Sequence, residues 1–148
     1  MIRFVHTNLI AKNVDSLVDF YKKVLGCRSI QETRDLSGEW LDRLTGIPNA
    51  HLFGEHLLLP GYGEHHPTLE IFSYDSIIEQ QNGLVNIAGF SHIAFEVDSV
   101  SETLACILKN GGSAVGEVVS FTYPDGRTIN VVYARDPEGN VIELQSWS

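Results

Sequence analysis

The sequence is poor in several features that mark whole classes of protein. It holds only two cysteines, Cys27 and Cys106, so a disulfide framework is excluded and both are interpreted as reduced packing residues. Charged residues make up only 20%, which argues against bulk disorder. No apolar run approaches the ~20 residues that a bilayer span needs. The chain begins with a strand-like pattern and no signal-peptide design, so we expect a cytoplasmic protein.

The balance of charge and apolar residues narrows the expected partners. A net charge of −9 repels phosphate backbones and anionic lipid headgroups, which excludes nucleic acid and membrane surfaces as expected partners. Hydrophobic residues make up 43% of the 148 residues, enough for the core of one ordinary domain. The composition thus leaves a small molecule among the possible partners.

The chain repeats itself once. A shift of 86 positions places Phe4 on Phe90 and His6 on His92. Each half is predicted to contain a strand, a helix and three further strands. One helix covers only one face of such a sheet, so two halves must pair to cover the other. We therefore predict an α+β fold of two paired βαβββ modules, forming a cup-shaped mixed sheet with the helices outside. Module 1 is expected over about residues 1–75 and module 2 over about 89–148. The linker between them is expected at 76–88, with Gln80–Gly83 exposed.

Two amphipathic helices follow the two first strands. The first is predicted to begin after Asn13, whose side chain can cap it, and to end at Gly26. The second has a capping box of Ser99 with Glu102. The first strand after this second helix is predicted from Ala114 to Phe121.

One His and one Glu in each half share a predicted face. Strand side chains alternate, so His6 and His92 point away from the apolar face that packs on a helix. Glu70 and Glu143, in the last strand of each half, point the same way. A lone strand histidine is more often a packed residue than a ligand, but the matched positions favour one divalent metal at these four residues. Imidazole and carboxylate ligands suit Zn²⁺, Ni²⁺, Co²⁺, Mn²⁺ or Fe²⁺.

At these residues the chain resembles the vicinal oxygen chelate superfamily, which includes glyoxalase I, methylmalonyl-CoA epimerase, extradiol dioxygenases and the fosfomycin and bleomycin resistance proteins. The most specific segment is Asp136–Leu144 (DPEGNVIEL), followed by Phe90–Val97 (FSHIAFEV), while His6-Thr7 and Phe20–Gly26 match less specifically. The resemblance implies paired βαβββ modules, often in a homodimer that exchanges modules between subunits. It also implies a metal at the four positions above.

The ligand set favours one branch of that superfamily, the one of glyoxalase I and the epimerases. Glu70 occupies a position that carries Glu in glyoxalase I, carries no ligand in extradiol dioxygenases and tends to be Gln in epimerases. The resemblance thus implies a metal-dependent lyase or isomerase that removes a proton next to a carbonyl, with a metal-stabilised enediolate. Glu143 is the expected base and Glu70 the second candidate. Two alternatives stay open: an Fe(II) extradiol-type dioxygenase, or a non-catalytic drug-binding protein of the bleomycin resistance type.

Residues for substrate binding are less well determined. The segment Trp40–Gly46 is predicted to be a loop near the cup, where Arg43 could bind a substrate carboxylate or phosphate, as could Arg127. The aromatic candidates for an apolar pocket are Phe72, Tyr74 and Trp147. The four other histidines are interpreted as loop residues outside the site: His51, His56, His65 and His66.

Overall fold

The computed structural model describes residues 1–79 and 84–148, with the backbone alone for Gln31 and Glu32. The predicted exposed connection Gln80–Gly83 lies outside the described residues. The chain divides into two compact units, Met1–Glu79 and Gln80–Ser148. Each contains one mixed sheet with a helix between its first two strands, so the predicted α+β class is confirmed.

The first unit is built on a four-stranded sheet. Its elements are β1 (His6–Ile10), α1 (Val14–Leu25), β2 (Arg28–Ser37), α2 (Glu39–Thr45), β3 (His51–Leu58) and β4 (Thr68–Tyr74). The strand order is β1-β4-β3-β2, and only the β1–β4 pair is parallel. The predicted ends of α1 are confirmed: the Asn13 side chain accepts a hydrogen bond from the backbone N–H of Ser16 at 3.0 Å, and Gly26 is left-handed with φ 69°.

The second unit repeats the parallel pairing of first and last strands. Its elements are β5 (His92–Glu96), α3 (Val100–Lys109), β6 (Ser113–Ala114), β7 (Val119–Thr122), β8 (Thr128–Arg135) and β9 (Val141–Trp147). The order is β5-β9-β8-β6, and β7 also pairs with β8. The β5–β9 pair is parallel. The predicted Ser99 cap is confirmed, since its hydroxyl oxygen accepts from the Glu102 backbone N–H at 3.3 Å.

The last strand of each unit has two fully buried residues on the face toward its helix. The opposite face is also buried in β4, whereas in β9 it is only half-buried. In β4, Leu69 and Ile71 are fully buried and face the side that α1 covers. In β9, Ile142 and Leu144 are fully buried in the same way, and α3 packs on this strand. The glutamate that lies between each buried pair therefore projects from the opposite face.

Two predicted elements are wrong. The segment Trp40–Gly46 is not a loop: residues Glu39–Thr45 form α2, because Leu41 at 1% exposure anchors one side of this short helix in a buried cluster. A single apolar anchor is too little to show helical periodicity in the sequence. The predicted strand Ala114–Phe121 is interrupted, since a bend that includes Gly116 separates β6 from β7.

A tight turn leads β8 into β9. The carboxylate of Asp136, 2% exposed, accepts hydrogen bonds from the backbone N–H of Glu138 at 2.9 Å and of Asn140 at 3.0 Å. It also accepts from the Asn140 side-chain amide at 2.8 Å. These contacts fix the start of the strand that carries Glu143. Within the described ranges, no helix is long and apolar enough to cross a membrane.

Candidate functional site

The first unit brings His6 and Glu70 together. His6 Nδ1 lies 3.5 Å from Glu70 Oε1, and Asn8 donates from Nδ2 to Glu70 Oε2 at 3.1 Å. The parallel register of β1 and β4 explains both contacts, because Asn8 is the direct neighbour of Glu70 and His6 is the residue of the same face one pleat away. Glu70 is only 9% exposed, so its carboxylate depends on these polar neighbours.

His56 completes this group from the other side. It lies on β3 directly opposite Glu70, with Nε2 3.3 Å from Glu70 Oε1. Its ring packs edge-on against Phe72, with centroids 5.4 Å apart. The prediction of a loop is thus wrong for His56, and also for His51, because both belong to β3. Alternation along β3 was the available signal, since it places Leu52, Gly54 and His56 on one face.

The second unit brings His92 and Glu143 together. His92 Nε2 lies 3.2 Å from Glu143 Oε2. Here the residue opposite the glutamate on the antiparallel neighbour is Tyr133, whose ring centroid is 5.0 Å from that of His92. Burial raises the pKa of Tyr133, and the negative charge of Glu143 and its hydrogen bond with Tyr133 raise it further. Tyr133 therefore stays a neutral phenol that donates to the carboxylate. Sequence analysis did not single it out.

The predicted substrate residues fall into two groups, one in each unit. In the first unit, Phe72 is buried at 8% exposure in a cluster with Leu41 of α2, and Tyr74 packs against the same cluster. Arg43 lies on α2 and is exposed.

In the second unit, Arg127 lies over the ring of Trp147, with 5.3 Å from its guanidinium carbon to the centroid. Its Nε also donates to Asp125 Oδ2 at 2.8 Å. Tyr123 stacks on the same indole at 5.7 Å, which gives this unit a small aromatic surface beside a cation.

The remaining histidines lie apart from these pairs. His65 and His66 are in the β3–β4 connection, as predicted. His51 is held between Asp35 and Asp75, at 2.7 and 2.8 Å from its two ring nitrogens. Among residues 1–79 and 84–148, no three His, Cys, Asp or Glu side chains already form a complete metal site. Each unit supplies one imidazole–carboxylate pair, to which His56 is added in the first.

Comparison with known proteins identifies the family. Residues 3–144 match the sequence profile of the Glyoxalase/Bleomycin resistance protein/Dioxygenase superfamily. The chain belongs to this superfamily. The resemblance to vicinal oxygen chelate proteins seen in the sequence is thereby confirmed.

Individual members of the superfamily match nearly the whole chain. A lactoylglutathione lyase of Neisseria meningitidis serogroup A is 26% identical over 143 residues, covering 97% of this chain and 89% of the relative. One of Escherichia coli O157:H7 is 25% identical over 145 residues, covering 97% and 91%. A glyoxalase family protein from Bacillus cereus superimposes with a TM-score of 0.83 at 23% identity, covering 99% and 95%. That last similarity shows a shared fold.

Proposed function

We propose that this superfamily member is a divalent-metal-dependent lyase or isomerase of the glyoxalase I type. In this proposal His6, Glu70, His92 and Glu143 bind one ion. The observation that carries it is the matched pair in each unit: an imidazole nitrogen within 3.5 Å of a carboxylate oxygen in the first and 3.2 Å in the second. Neutral imidazoles and carboxylates are donors that suit Zn²⁺, Ni²⁺, Co²⁺, Mn²⁺ and Fe²⁺.

The chemistry is proton removal next to a carbonyl. A bound divalent ion would supply Lewis-acid stabilisation of the negative charge that develops on the substrate oxygens. Glu143 is the proposed base, and its side chain at 17% exposure is in reach of both His92 and Tyr133. Glu70 is the second candidate, but it is more closely surrounded, with Asn8, His6 and His56 around it. A carboxylate with fewer contacts reorients more easily to accept a proton.

The relatives' names suggest the substrate class. The relatives are named for a reaction of lactoylglutathione, so we propose a small oxygenated substrate. A glutathione thioester is the first candidate to test. An epimerase-like reaction would use the same proton transfer. Arg43 and Arg127 are the proposed residues for binding a substrate carboxylate or phosphate. Phe72, Tyr74 and Trp147 are the proposed aromatic residues for its apolar part. We also propose that the protein is a homodimer and that it acts in the cytoplasm.

Metal content is the first test. Untagged protein is analysed for metals beside two variants, His92→Ala and the matched control His65→Ala, which removes a loop histidine. We expect about one equivalent of metal per chain in the parent and in His65→Ala, and a loss in His92→Ala. A parent that binds no metal even after reloading would refute the proposal and favour a non-catalytic binding protein.

Activity is the second test. The metal-loaded protein is assayed for the interconversion of lactoylglutathione and its two precursors, glutathione and a three-carbon 2-oxoaldehyde. Glu143→Gln, assayed in protein saturated with metal, is expected to lower kcat by 10²-fold or more, roughly what a general base contributes. Full activity in that variant would remove Glu143 as the base and leave Glu70. Iron dependence with oxygen consumption would instead indicate the dioxygenase alternative.

A further inference from the structure

Each candidate carboxylate faces a polar side chain that lies directly opposite it on the neighbouring antiparallel strand. In the first unit this residue is His56 of β3, which is the register partner of Glu70 on β4. In the second unit it is Tyr133 of β8, the register partner of Glu143 on β9. The two units therefore place different chemistry at the same structural position.

Both residues contact the glutamate that they face. His56 Nε2 is 3.3 Å from Glu70 Oε1, and its side chain is only 16% exposed. The Tyr133 hydroxyl group is hydrogen-bonded to Glu143, and its ring lies against that of His92. Packed rings of this kind have few rotamers available, so their polar atoms are fixed donors rather than mobile ones.

We propose that His56 and Tyr133 are positioning residues, each of which holds the adjacent glutamate in the orientation that binds the metal. This inference rests on the proposed function for the metal, although both contacts already exist in the chain without one. In the first unit Asn8 supports the same carboxylate from β1, so three neighbouring strands contribute to one row, Asn8, Glu70 and His56. Residues that hydrogen-bond to a metal ligand without touching the metal orient that ligand and tune the affinity of the site for the metal.

The competing assignment for His56 is that of a metal ligand, and the choice of variant separates the two. His56→Leu removes the nitrogen, whereas His56→Gln keeps an amide N–H donor close to the position of Nε2. A positioning role is restored when the glutamine N–H donates to Glu70, which keeps the Glu70 carboxylate signal at the parent's position. In a ligand role the glutamine could bind metal only through its amide oxygen, a weaker donor than imidazole, so the affinity would be restored only in part. Tyr133→Phe removes only the hydroxyl group. Tyr62→Phe, in an exposed loop, is the matched control.

The first measurement needs no metal. The carboxylate ¹³C signals of Glu70 and Glu143 are recorded by NMR in the metal-free protein and assigned with the corresponding glutamine variants. Tyr133→Phe is expected to move the Glu143 signal, and His56→Leu the Glu70 signal, while Tyr62→Phe moves neither. Signals that stay in place in both variants would overturn the inference, whatever the protein binds or catalyses.

The second measurement is the affinity for Co²⁺, obtained by competition with a chelator. Tyr133→Phe and His56→Leu are expected to weaken it by roughly 10–100-fold, as changes behind metal ligands do. His56→Gln is expected to return it to within a few-fold of the parent. A glutamine variant that binds as poorly as the leucine variant, with the fold intact by circular dichroism, would overturn the positioning role of His56.

The two measurements distinguish this inference from the proposed function. If the carboxylate signals move as expected but the parent binds no metal, the proposed function is refuted and the positioning contacts stand. If the parent binds metal and the variants bind it equally well, the positioning role is refuted and the metal site stands.

Discussion

The turn before β9 makes a sharp prediction because one buried carboxylate holds it together. Asp136→Ala removes the acceptor of three hydrogen bonds, two from backbone N–H groups and one from the Asn140 amide. Leaving a buried donor without its partner costs about 1–3 kcal/mol. Water can reach part of this turn, so we take the low end of that range for each donor and expect a loss of about 3 kcal/mol in the free energy of unfolding.

Thermal unfolding measures this loss directly. For a chain of this size a change of 1 kcal/mol shifts Tm by roughly 2–4 °C, so Asp136→Ala should lower Tm by about 6–12 °C. Asp136→Asn is the matched control: its side-chain oxygen still accepts from both backbone groups, so we expect less than half of that shift. An alanine variant within about 0.5 kcal/mol of the parent, a value typical of neutral surface changes, would refute the reasoning.

Three further predictions concern the first unit. In Gly54→Ala, a Cβ atom would overlap the backbone of β4, so we expect the free energy of unfolding to fall by about 2–4 kcal/mol. An unchanged midpoint of unfolding in urea would contradict this prediction. Hydrogen bonds to Asp35 and Asp75 raise the pKa of His51, so its stabilisation is complete below the unfolded value near 6.5 and is lost as pH rises through the folded value. The Tm difference between parent and His51→Leu should therefore be larger at pH 5.5 than at pH 9, and a constant difference would argue against it. Burial raises the pKa of Cys27 to about 12, so this thiol should resist alkylation at pH 8 until the protein unfolds.

The features of the fold that the sequence predicted correctly are local or periodic ones. The cap of α1 at Asn13 depends on a side chain that bonds to backbone a few residues away, and the sequence displays such a local pairing directly. The face of Glu70 follows from strict alternation with Leu69 and Ile71. The repeat predicted that His6 and Glu70 share a face, and the parallel pairing of β1 with β4 brings their side chains within 3.5 Å.

What the sequence did not show depends on register between strands. His56 lies opposite Glu70 only because β3 pairs with β4 in one particular register, and a shift by one residue would replace it with Glu55 or Leu57. The same holds for Tyr133 and Glu143. The helix α2 was missed because its stability comes from burying Leu41 on the sheet, and its seven residues contain too little pattern.

The two units share a scaffold, but their glutamates are not chemically equivalent. Glu70 has polar neighbours on both flanking strands, and it is buried enough that moving its carboxylate would leave the Asn8 amide without its acceptor. The Glu143 side chain is more exposed than that of Glu70, and it faces one polar side chain, the Tyr133 phenol, on its antiparallel neighbour. A site that must both hold an ion and move a proton benefits from such a division, because one carboxylate stays fixed while the other reorients. On this basis both Glu70→Gln and Glu143→Gln should weaken metal binding, but only Glu143→Gln should also lower kcat of the metal-saturated protein by a large factor. Metal affinity and kcat measured on both variants test this, and equal effects of the two substitutions on both quantities would contradict it.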